Sequence, residues 1–470
     1  MPLIEPVELV SPDELGAVHF IAIGGAGMSG IAAAFAELGV QVSGSDQSDS
    51  ETLRGLGRRG IVTTVGHDPA NLGAASTVVV SSAIRETNPE LAEARRRGLR
   101  VWHRSAALGS LMLGRVGVAI TGTHGKTTTT GMTAELLTTC GLDPSYVIGS
   151  PLASSGLSFR VGSGEAFVIE ADESDGSFLQ YPARIVVVTN IEADHLDNWG
   201  TAEHYAEGFL ALATAPAVEV VVLSADDPGT RALAERVRAA GKRVVTFGES
   251  DQADLRLSHL AFEGATASAV LTSGDQTGLL ALKVPGRYNL HNAAAAQAVG
   301  QALGVPAATL RAAAGTFVGT HRRFQFVAEV GGVRIFDDYA HHPTEVTALL
   351  TAARPLAAGG RLVVCFQPHL FSRTRDFADD FGAALALAEE VIVLDIYPAR
   401  EDPIAGVTGE LVSRAAAARL GAEHVSWLPD QASAPLHIAN LVRPGDLLLT
   451  VGAGDVTGMG PLVAARLGGP

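Results

Sequence analysis

Short runs of β-branched residues alternate along the chain with longer segments rich in alanine and leucine. The short runs are typical of buried strands and the longer segments of helices, so the pattern predicts an α/β fold with mostly parallel strands. Predicted helices cover 29–39, 126–137 and 290–303, and the segment 253–284 alternates like an antiparallel meander. The predicted strands are 18–23, 40–44, 77–81, 100–103, 116–121, 166–170, 184–190, 218–224, 243–248, 333–338, 361–366, 390–395 and 446–452.

The predicted elements form three successive α/β series. A chain of 470 residues is long enough for roughly three domains. We expect the breaks near 110 and 319, where one series ends and the next begins. The predicted domains are therefore 1–109, 110–318 and 319–470.

Composition narrows the class of protein. Hydrophobic residues make up 47% and charged residues 18%, and the net charge is -16. A chain this acidic is poorly suited to sequence-independent binding of nucleic acid or of an anionic membrane. Two cysteines, Cys140 and Cys365, cannot build a disulfide framework, which favours a reducing, cytoplasmic setting.

A glycine-rich turn follows the first predicted strand. Its sequence, GAGMSG at 25–30, matches G-x-G-x-x-G, and Asp46 follows 21 residues after Gly25. Glycines there let the backbone approach a diphosphate at a helix N-terminus, and an acid at that distance suits ribose hydroxyls. The motif indicates a dinucleotide or a nucleotide-diphosphate sugar, while a tight turn without a ligand is the plainer alternative.

A second loop, TGTHGKTT at 121–128, follows the strand VGVAIT. It resembles a phosphate-binding P-loop, in which backbone N–H groups surround phosphate, a lysine reaches the terminal phosphates and a hydroxyl binds Mg²⁺. Ile120 stands where the leading glycine is usual. Because the chain has only three lysines, Lys126 at this position is notable, although a plain capped helix start is the alternative.

Acidic clusters follow two further strands of the same series. Ligands of open α/β sheets bind beyond the carboxyl ends of the strands, so these side chains should face the P-loop and could hold Mg²⁺. Taken singly, each acid is better explained as a solvated loop residue or a helix cap. The clusters are Glu170, Asp172, Glu173 and Asp175, and Asn190, Glu192, Asp194 and His195.

Histidine and arginine collect in the third series. The segments HRRF at 321–324, DDYAHHP at 337–343 and QPHLFSRTR at 367–375 each carry them, and arginine suits a carboxylate. NLHN at 289–292 opens an Ala-rich helix, with helix capping as its plainer interpretation. Two phosphate-type sites and a His/Arg site together fit an ATP-driven coupling of two substrates.

The amino-acid sequences of these motifs resemble those of the Mur ligase family. The matching segments, from about residue 19 to 455, are GGAGMSGIA, SGSD, SSAI, GTHGKTTTT, EADESD, TNIEADHLD, DDYAHHPTEV and QPHLFSRT. The resemblance implies an N-terminal Rossmann-like domain for a UDP-sugar, a central P-loop-type ATPase with a mostly parallel sheet, and a C-terminal Rossmann-like domain. It is closest to members that join L-alanine to UDP-N-acetylmuramate with ATP and Mg²⁺ in cytoplasmic peptidoglycan precursor synthesis.

The resemblance also implies roles for individual residues, with Lys126, Glu170 and His195 as the catalytic set. It assigns metal binding to Thr127, Glu170 and His195, and amino-acid binding to His342, His369 and Arg373. It assigns the UDP-sugar to Gly24, Gly25, Ala26, Gly27, Met28, Ser29, Gly30, Asp46, Ser81 and Ser82. It assigns ATP to Gly122, Thr123, His124, Gly125, Lys126, Thr127, Thr128, Asn289, Asn292, Arg323 and Asp338.

The chain departs from the family pattern at two positions, and alternatives stay open. Tyr288 stands where many relatives have histidine, and Leu370 where some have an arginine. No lysine lies between Lys126 and Lys242, so we expect no carbamylated lysine at the metal. The alternatives are a murein-peptide ligase, a nicotinamide-dependent oxidoreductase that uses the first glycine turn, and a non-catalytic nucleotide switch.

Overall fold

Three β-sheets organise the protein, for which a computed structural model describes residues 3–399 and 401–468. The side chains of Ala26 and Asp197 lie outside the described residues. The first sheet has the strand order β3-β2-β1-β4-β5, and every pair in it is parallel. Its strands are β1 (Val18–Ile21), β2 (Val42–Asp46), β3 (Val62–Val65), β4 (Thr77–Val80) and β5 (Arg100–His103).

The second sheet has the order β15-β14-β13-β12-β11-β10-β6-β9-β7-β8. It is parallel from β13 through β7, and β8 pairs with β7 in the antiparallel sense. Two-residue connections join β13, β14 and β15, which requires antiparallel neighbours. The strands are β6 (Val116–Thr121), β7 (Ser145–Val147), β8 (Phe159–Arg160), β9 (Ala166–Glu170), β10 (Ala183–Val188), β11 (Val220–Ser224), β12 (Arg243–Gly248), β13 (Leu255–Glu263), β14 (Thr266–Ser273) and β15 (Gln276–Leu282).

The third sheet has the order β16-β17-β21-β18-β19-β20 and is parallel except for β16, which pairs with β17 in the antiparallel sense. Its strands are β16 (Gln325–Val330), β17 (Val333–Asp338), β18 (Leu362–Phe366), β19 (Glu390–Leu394), β20 (Val425–Leu428) and β21 (Leu447–Val451). The central strand β21 is buried along its whole length.

Helices connect the parallel strands, as a parallel sheet requires. They are α1 (Ala26–Glu37), α2 (Glu51–Arg58), α3 (Pro89–Arg96), α4 (Arg104–Met112), α5 (Lys126–Thr139), α6 (Leu196–Trp199), α7 (Ala202–Ala213), α8 (Pro228–Ala239), α9 (Arg287–Ala302), α10 (Ala307–Ala314), α11 (Pro343–Ala357), α12 (Phe371–Asp376), α13 (Ala378–Leu385), α14 (Glu410–Leu420), α15 (Ala434–Leu441) and α16 (Met459–Leu467). Short 3-10 helices occupy Pro12–Leu15, Pro69–Leu72, Ser177–Gln180, Ala422–His424, Gln431–Ser433 and Asp455–Gly458.

The chain divides into two compact units. Unit 1 runs up to His259 and adds Ala269–Leu280 and His291–Phe317, and unit 2 consists of Leu260–Ser268, Ala281–Leu290 and the chain from Val318 onwards. The first sheet lies in unit 1 and the third in unit 2. The domain boundaries at 110 and 319 remain a prediction.

The α/β class and the parallel sheets are confirmed, and the differences lie at element ends and sheet edges. The first helix begins at Ala26, not at 29, because the glycine turn itself forms its first turn. Helix α9 begins at Arg287, so Asn289 lies inside the helix and does not cap it. The strands that sequence patterning missed are short, and four of the five are edge strands: β3, β7, β8, β16 and β20.

No helix in the described part of the chain is long and apolar enough to cross a membrane.

Candidate active site

The loop between β6 and α5 is the centre of the candidate site. Gly122 and Gly125 adopt φ of 125° and 83°, which favour glycine. A Cβ atom at Gly122 would lie 2.2 Å from Thr189 Oγ1, so no other residue fits there. The end of β10 holds the loop, since His124 N donates to Asn190 Oδ1 at 2.9 Å and Thr189 Oγ1 donates to His124 O at 2.6 Å.

Lys126 is held in place from two sides. Its Nζ donates to the carbonyl oxygens of Gly122 at 2.7 Å and Thr123 at 3.0 Å, and pairs at 2.9 Å with the fully buried carboxylate of Glu173. Burial alone would lower the pKa of Lys126, but the carboxylates of Glu173 and Asp172 outweigh burial and raise it. The ammonium group is therefore charged and fixed beneath the loop.

Glu173 is the buried acid of this site. Burial raises the pKa of its carboxyl group to about 7, with the charge of Lys126 opposing and that of Asp172 adding to the effect. His195 Nε2 lies 3.6 Å from Glu173 Oε1, and the same ring nitrogen lies 3.6 Å from Asp194 Oδ2. His195 thus joins the site through Glu173, at the start of α6 with a φ of 53°.

Thr127 and Glu170 meet directly. Thr127 Oγ1 donates to Glu170 Oε1 at 2.9 Å, and Gly149 N donates to Glu170 Oε2 at 2.8 Å. A Cβ atom at Gly149 would lie 2.7 Å from that second oxygen, so glycine allows the carboxylate its position. A hydroxyl and a carboxylate are oxygen donors that suit Mg²⁺, so Thr127 and Glu170 fit such an ion. The third predicted ligand, His195, contacts Glu173 and Asp194, and its place at the metal stays a prediction.

Two of the predicted ATP contacts, Asn289 and Asn292, differ in their surroundings. Asn292 Oδ1 lies 2.9 Å from where a Cβ atom at Gly125 would be, so its carboxamide packs against the P-loop. Asn289 donates from Nδ2 to Pro285 O at 2.6 Å. Between them, His291 Nε2 bonds to Glu249 Oε1 at 2.8 Å. Within unit 1, the structure therefore brings Asn292 to the phosphate loop.

The glycine turn after β1 has its predicted acid beside it. Gly24 N donates to Asp46 Oδ2 at 2.9 Å, and Gly25 is the residue before α1. A Cβ atom at Gly30 would lie 3.3 Å from Phe159 Cβ, so helix and chain approach closely there. Asp46 thus fixes the conformation of the turn, and its contact with a ribose hydroxyl stays a prediction.

The predicted serines lie in the turn that follows β4. Ser82 Oγ donates to Asp175 Oδ2 at 2.5 Å and also lies 3.1 Å from His103 Nε2. Ser81 contributes its carbonyl to a turn that ends at Ile84. The bond between Ser82 and Asp175 links the first sheet to the acidic loop after β9.

Sequence reasoning missed Arg104 and His103. Arg104 Nη2 donates to Asp172 Oδ2 at 2.8 Å, and its guanidinium lies beside Gly27. Burial, helped by the charge of Arg104, lowers the pKa of His103 to about 4, although Asp175 opposes this. Nothing in the local sequence separates Arg104 from the other arginines of the chain, because its partner lies 68 positions away.

In unit 2, Asp338 and Arg323 lie around Tyr339. Asp338 accepts hydrogen bonds from Phe324 N at 2.7 Å and Ala340 N at 2.8 Å. Burial raises the pKa of Asp338 to about 6 against the opposing charge of Arg323. The guanidinium of Arg323 lies 5.1 Å from the ring centroid of Tyr339. Asp338 therefore has a structural role in its turn alongside the predicted ribose contact.

The predicted amino-acid residues form a second cluster in unit 2. Arg373 is buried on α12, and its Nη1 lies 3.4 Å from His369 Nδ1. The His369 ring is near-parallel to that of Tyr397, at 6.0 Å between centroids, and it meets His341 edge-on at 5.6 Å. This arrangement brings His369 and Arg373 together, as expected.

His342 differs from the other two residues. It is 3% exposed, precedes α11 and caps it, and its ring packs edge-on against Phe377. His342 thus has a structural role at the start of α11, and its contact with the amino acid stays a prediction. Arg375 is an exposed cation paired with Asp376.

Family models match most of the chain. They are described as "Mur ligase family, catalytic domain" at residues 17–115, "Mur ligase middle domain" at 120–300 and "Mur ligase, glutamate ligase domain" at 322–454.

Curated relatives and solved structures agree with these models. The chain is 61% identical to the UDP-N-acetylmuramate–L-alanine ligase of Cutibacterium acnes, over all of both chains, and 56% identical to that of Kineococcus radiotolerans, over 96% of each. The crystal structure of UDP-N-acetylmuramate–alanine ligase from Thermotoga maritima superposes with a TM-score of 0.82 at 29% identity, covering 96% of this chain and 98% of that one. A murein peptide ligase from Psychrobacter arcticus superposes with a TM-score of 0.72 at 25% identity, covering 97% and 99%.

Proposed function

The chain belongs to the Mur ligase family, and we propose that it joins L-alanine to the lactyl carboxylate of UDP-N-acetylmuramate at the expense of ATP, releasing ADP and phosphate. The relatives at 61% and 56% identity carry that activity in their names. A cytoplasmic location is part of the proposal. It is supported by both cysteines, Cys140 and Cys365, being free thiols, which is typical of a reducing compartment.

The observation that carries the proposal is the position of Lys126. The attacking carboxylate and the γ-phosphate of ATP are both anions, so their approach needs a fixed positive charge. Lys126 supplies it at the end of a P-loop, where Gly122 and Thr123 hold its ammonium group by their carbonyl oxygens. Its partner Glu173 keeps that charge in one place before the substrates arrive.

Mg²⁺ would be held by Thr127, Glu170 and His195. The ion, when bound, neutralises phosphate charge and stabilises the transferring phosphoryl group. Hydrogen bonds from Thr127 Oγ1 and Gly149 N orient the carboxylate of Glu170 toward a position where it could bind the ion.

The chemistry then proceeds in two steps. A carboxylate oxygen of the sugar attacks the γ-phosphorus, the bond to ADP breaks, and an acyl phosphate forms. The neutral amine of L-alanine attacks the acyl carbon, phosphate leaves with the bonding electrons, and the nitrogen loses a proton to give the amide. Exclusion of water is needed throughout, since water would hydrolyse the acyl phosphate.

L-Alanine offers a carboxylate and one methyl group for recognition. A buried methyl group is worth only about 1–3 kcal/mol, so the carboxylate must supply most of the orientation. Arg373 suits it, because a planar guanidinium binds both carboxylate oxygens. His369 Nδ1 lies 3.4 Å from Arg373 Nη1 and helps to orient the guanidinium.

The alternatives have less support. A murein-peptide ligase would use the same nucleotide sugar, but the solved example superposes less well, with a TM-score of 0.72 against 0.82. A nicotinamide-dependent oxidoreductase would use the first glycine turn alone, and its reaction would not require the P-loop or the ion pair of Lys126 with Glu173. A nucleotide switch would bind ATP without needing a third substrate.

A phosphate-release assay tests the proposal and separates these alternatives. The purified chain is given ATP, Mg²⁺ and UDP-N-acetylmuramate with each single amino acid or with the recycled tripeptide. We expect release to depend on the sugar and to be fastest with L-alanine. Fastest release with the tripeptide would favour the murein-peptide ligase, and none with any acceptor would contradict ligase activity.

A further inference from the structure

In unit 2, the segment that follows β19 pairs with the loop that leads to Arg373. Tyr397 N donates to Pro368 O at 2.9 Å, and Leu370 N donates to Tyr397 O at 3.0 Å. Strands β18 and β19 are parallel neighbours, so this pairing extends their contact beyond the ends of both strands. Tyr397 therefore has a fixed position relative to the predicted amino-acid residues.

The same pairing supports an unusual backbone conformation at Leu370. This residue has a φ of 69°, which favours glycine and is costly for a leucine. Its N–H group bonds to Tyr397, and its carbonyl oxygen accepts from Thr374 N at 3.1 Å in α12. The start of α12, the helix that carries Arg373, thus depends on the segment of Tyr397 for its geometry.

The side chain of Tyr397 contacts the ring beside Arg373. Its ring stacks on that of His369, with 6.0 Å between centroids and 13° between planes, and His369 Nδ1 lies 3.4 Å from Arg373 Nη1. A Cβ atom at Gly454 would lie 2.6 Å from Tyr397 Cγ, so glycine there allows the ring its place. A stacked ring restricts the rotation of His369, which keeps Nδ1 directed at the guanidinium.

A second tie joins the two segments next to Arg373. Ser372 N donates to Glu401 Oε2 at 2.9 Å, and Ser372 Oγ donates to the other carboxylate oxygen. The segment after β19 thus holds this loop by main chain, by a ring and by a carboxylate. Only the ring of Tyr397 acts on His369.

We propose that Tyr397 is a positioning residue of the amino-acid site. By stacking on His369 it holds the Arg373 guanidinium in the orientation that binds the carboxylate of the amino acid. A group that is oriented before its ligand arrives loses less freedom on binding, so the contribution appears in affinity for the amino acid. This inference rests on the proposed function and adds to it a residue that acts through another.

Phosphate-release kinetics on the full chain, with L-alanine varied, test this role. In Tyr397→Leu we expect the KM for L-alanine to rise about three- to tenfold, the scale of a lost aromatic pair. The kcat and the KM values for ATP and UDP-N-acetylmuramate should stay within about twofold. Tyr397→Phe keeps the planar ring and should resemble wild type. Phe326→Leu removes an exposed ring that packs edge-on against Phe336 and serves as the matched control, with an unchanged KM for L-alanine.

A double-mutant cycle shows whether Tyr397 acts through His369. His369→Gln alone should raise the KM for L-alanine, and adding Tyr397→Leu should raise it by less than about twofold more, because the ring through which Tyr397 acts is gone. A full additional three- to tenfold rise would contradict the inference.

Three further outcomes would overturn the inference. An unchanged KM for L-alanine in Tyr397→Leu removes the role, and an equal loss in Tyr397→Phe would assign the effect to the hydroxyl group. Equal increases in all three KM values with a lower Tm would mean a structural role only. Wild-type protein that releases no phosphate in response to L-alanine would instead contradict the proposed function on which the inference rests.

Discussion

Two cations, the partly buried Lys126 in unit 1 and the buried Arg373 in unit 2, occupy comparable positions in very different surroundings. Each lies at or near the start of a helix that follows a buried parallel strand, β6 before Lys126 and β18 before Arg373. Lys126 pairs with the buried carboxylate of Glu173, whereas Arg373 lies beside the ring of His369.

The difference indicates what each region binds. Around Lys126 the acids Glu170, Asp172 and Glu173 allow a metal ion and phosphate to be added with their charges balanced. Around Arg373 the neighbours are rings, and burial with the nearby cations lowers the pKa of His341 to about 3, so that ring is neutral. An aromatic setting around the Arg373 guanidinium suits a single small carboxylate.

The largest effect should come from Lys126→Ala. We expect kcat to fall by about 2.7–4 kcal/mol, or about a hundred- to a thousandfold, because the charge acts mainly as the phosphoryl group moves. UDP-sugar affinity should stay near normal. Steady-state kinetics and calorimetry measure the two quantities.

A double variant separates catalysis from folding. Lys126→Ala also leaves Glu173 buried without its cation, which should lower Tm. Adding Glu173→Gln should recover Tm but not kcat. If the double variant regained turnover, the role of Lys126 would be structural, and near-normal turnover in the single variant would refute the P-loop interpretation.

In unit 2, Arg373→Ala should raise the KM for L-alanine by about a hundredfold, since a charged, two-point contact is lost. Acyl-phosphate formation from ATP and the sugar should survive. Arg373→Lys should recover little, because a point charge loses the second hydrogen bond. Arg375→Ala, a surface control, should leave this KM unchanged; an unchanged KM in Arg373→Ala would move the carboxylate site to His369 or Arg375.

A pH effect of about 2 kcal/mol should come from His103 in unit 1. Its pKa is about 4 in the folded chain against 6.5 ordinarily, so the unfolded chain binds more protons between these values. Stability is therefore lost as pH falls from 6.5 toward 4, by about 2 kcal/mol at pH 5. Urea unfolding at pH 7.5 and 5 should show His103→Gln losing that much less than wild type; equal losses would contradict a neutral, buried ring.

The smallest effect is expected from Gly149→Ala. The added Cβ atom would lie 2.7 Å from Glu170 Oε2 and displace the carboxylate. We expect about a tenfold higher Mg²⁺ concentration for half-maximal activity, the scale of a lost supporting contact. Gly458→Ala, where φ is -72° and a Cβ atom meets nothing within 4 Å, compares the cost of a substituted glycine away from Glu170. An unchanged Mg²⁺ dependence in Gly149→Ala would place the ion elsewhere.

Sequence patterning predicted the buried strands because they are continuous apolar runs. Val118 to Ile120 in β6 are fully buried, and such runs have few alternatives. Strand β3 was missed because it has no apolar run: it reads VTTV, and its two valines, Val62 and Val65, are 66% and 55% exposed at a sheet edge. Edge strands depend on their partner for pairing, and that partner is not visible in the local sequence.

The site was predictable where a motif is contiguous. The P-loop and its lysine can be identified from eight adjacent residues, and the acids after β9 from their position at a strand end. The pairing of Lys126 with Glu173 and of Arg104 with Asp172 could not be predicted, because it depends on which strands are neighbours. Lone histidines such as His103 acquire their chemistry from burial, which local sequence does not report.

The central claim is that phosphate passes from ATP to the sugar carboxylate at the Lys126 loop, and oxygen transfer tests it most directly. UDP-N-acetylmuramate labelled with ¹⁸O in the lactyl carboxylate is turned over with ATP and L-alanine, and the released phosphate is analysed by mass spectrometry. An acyl phosphate requires one ¹⁸O atom in each phosphate released. Phosphate without ¹⁸O would contradict the account, because the carboxylate would then have been activated in another way.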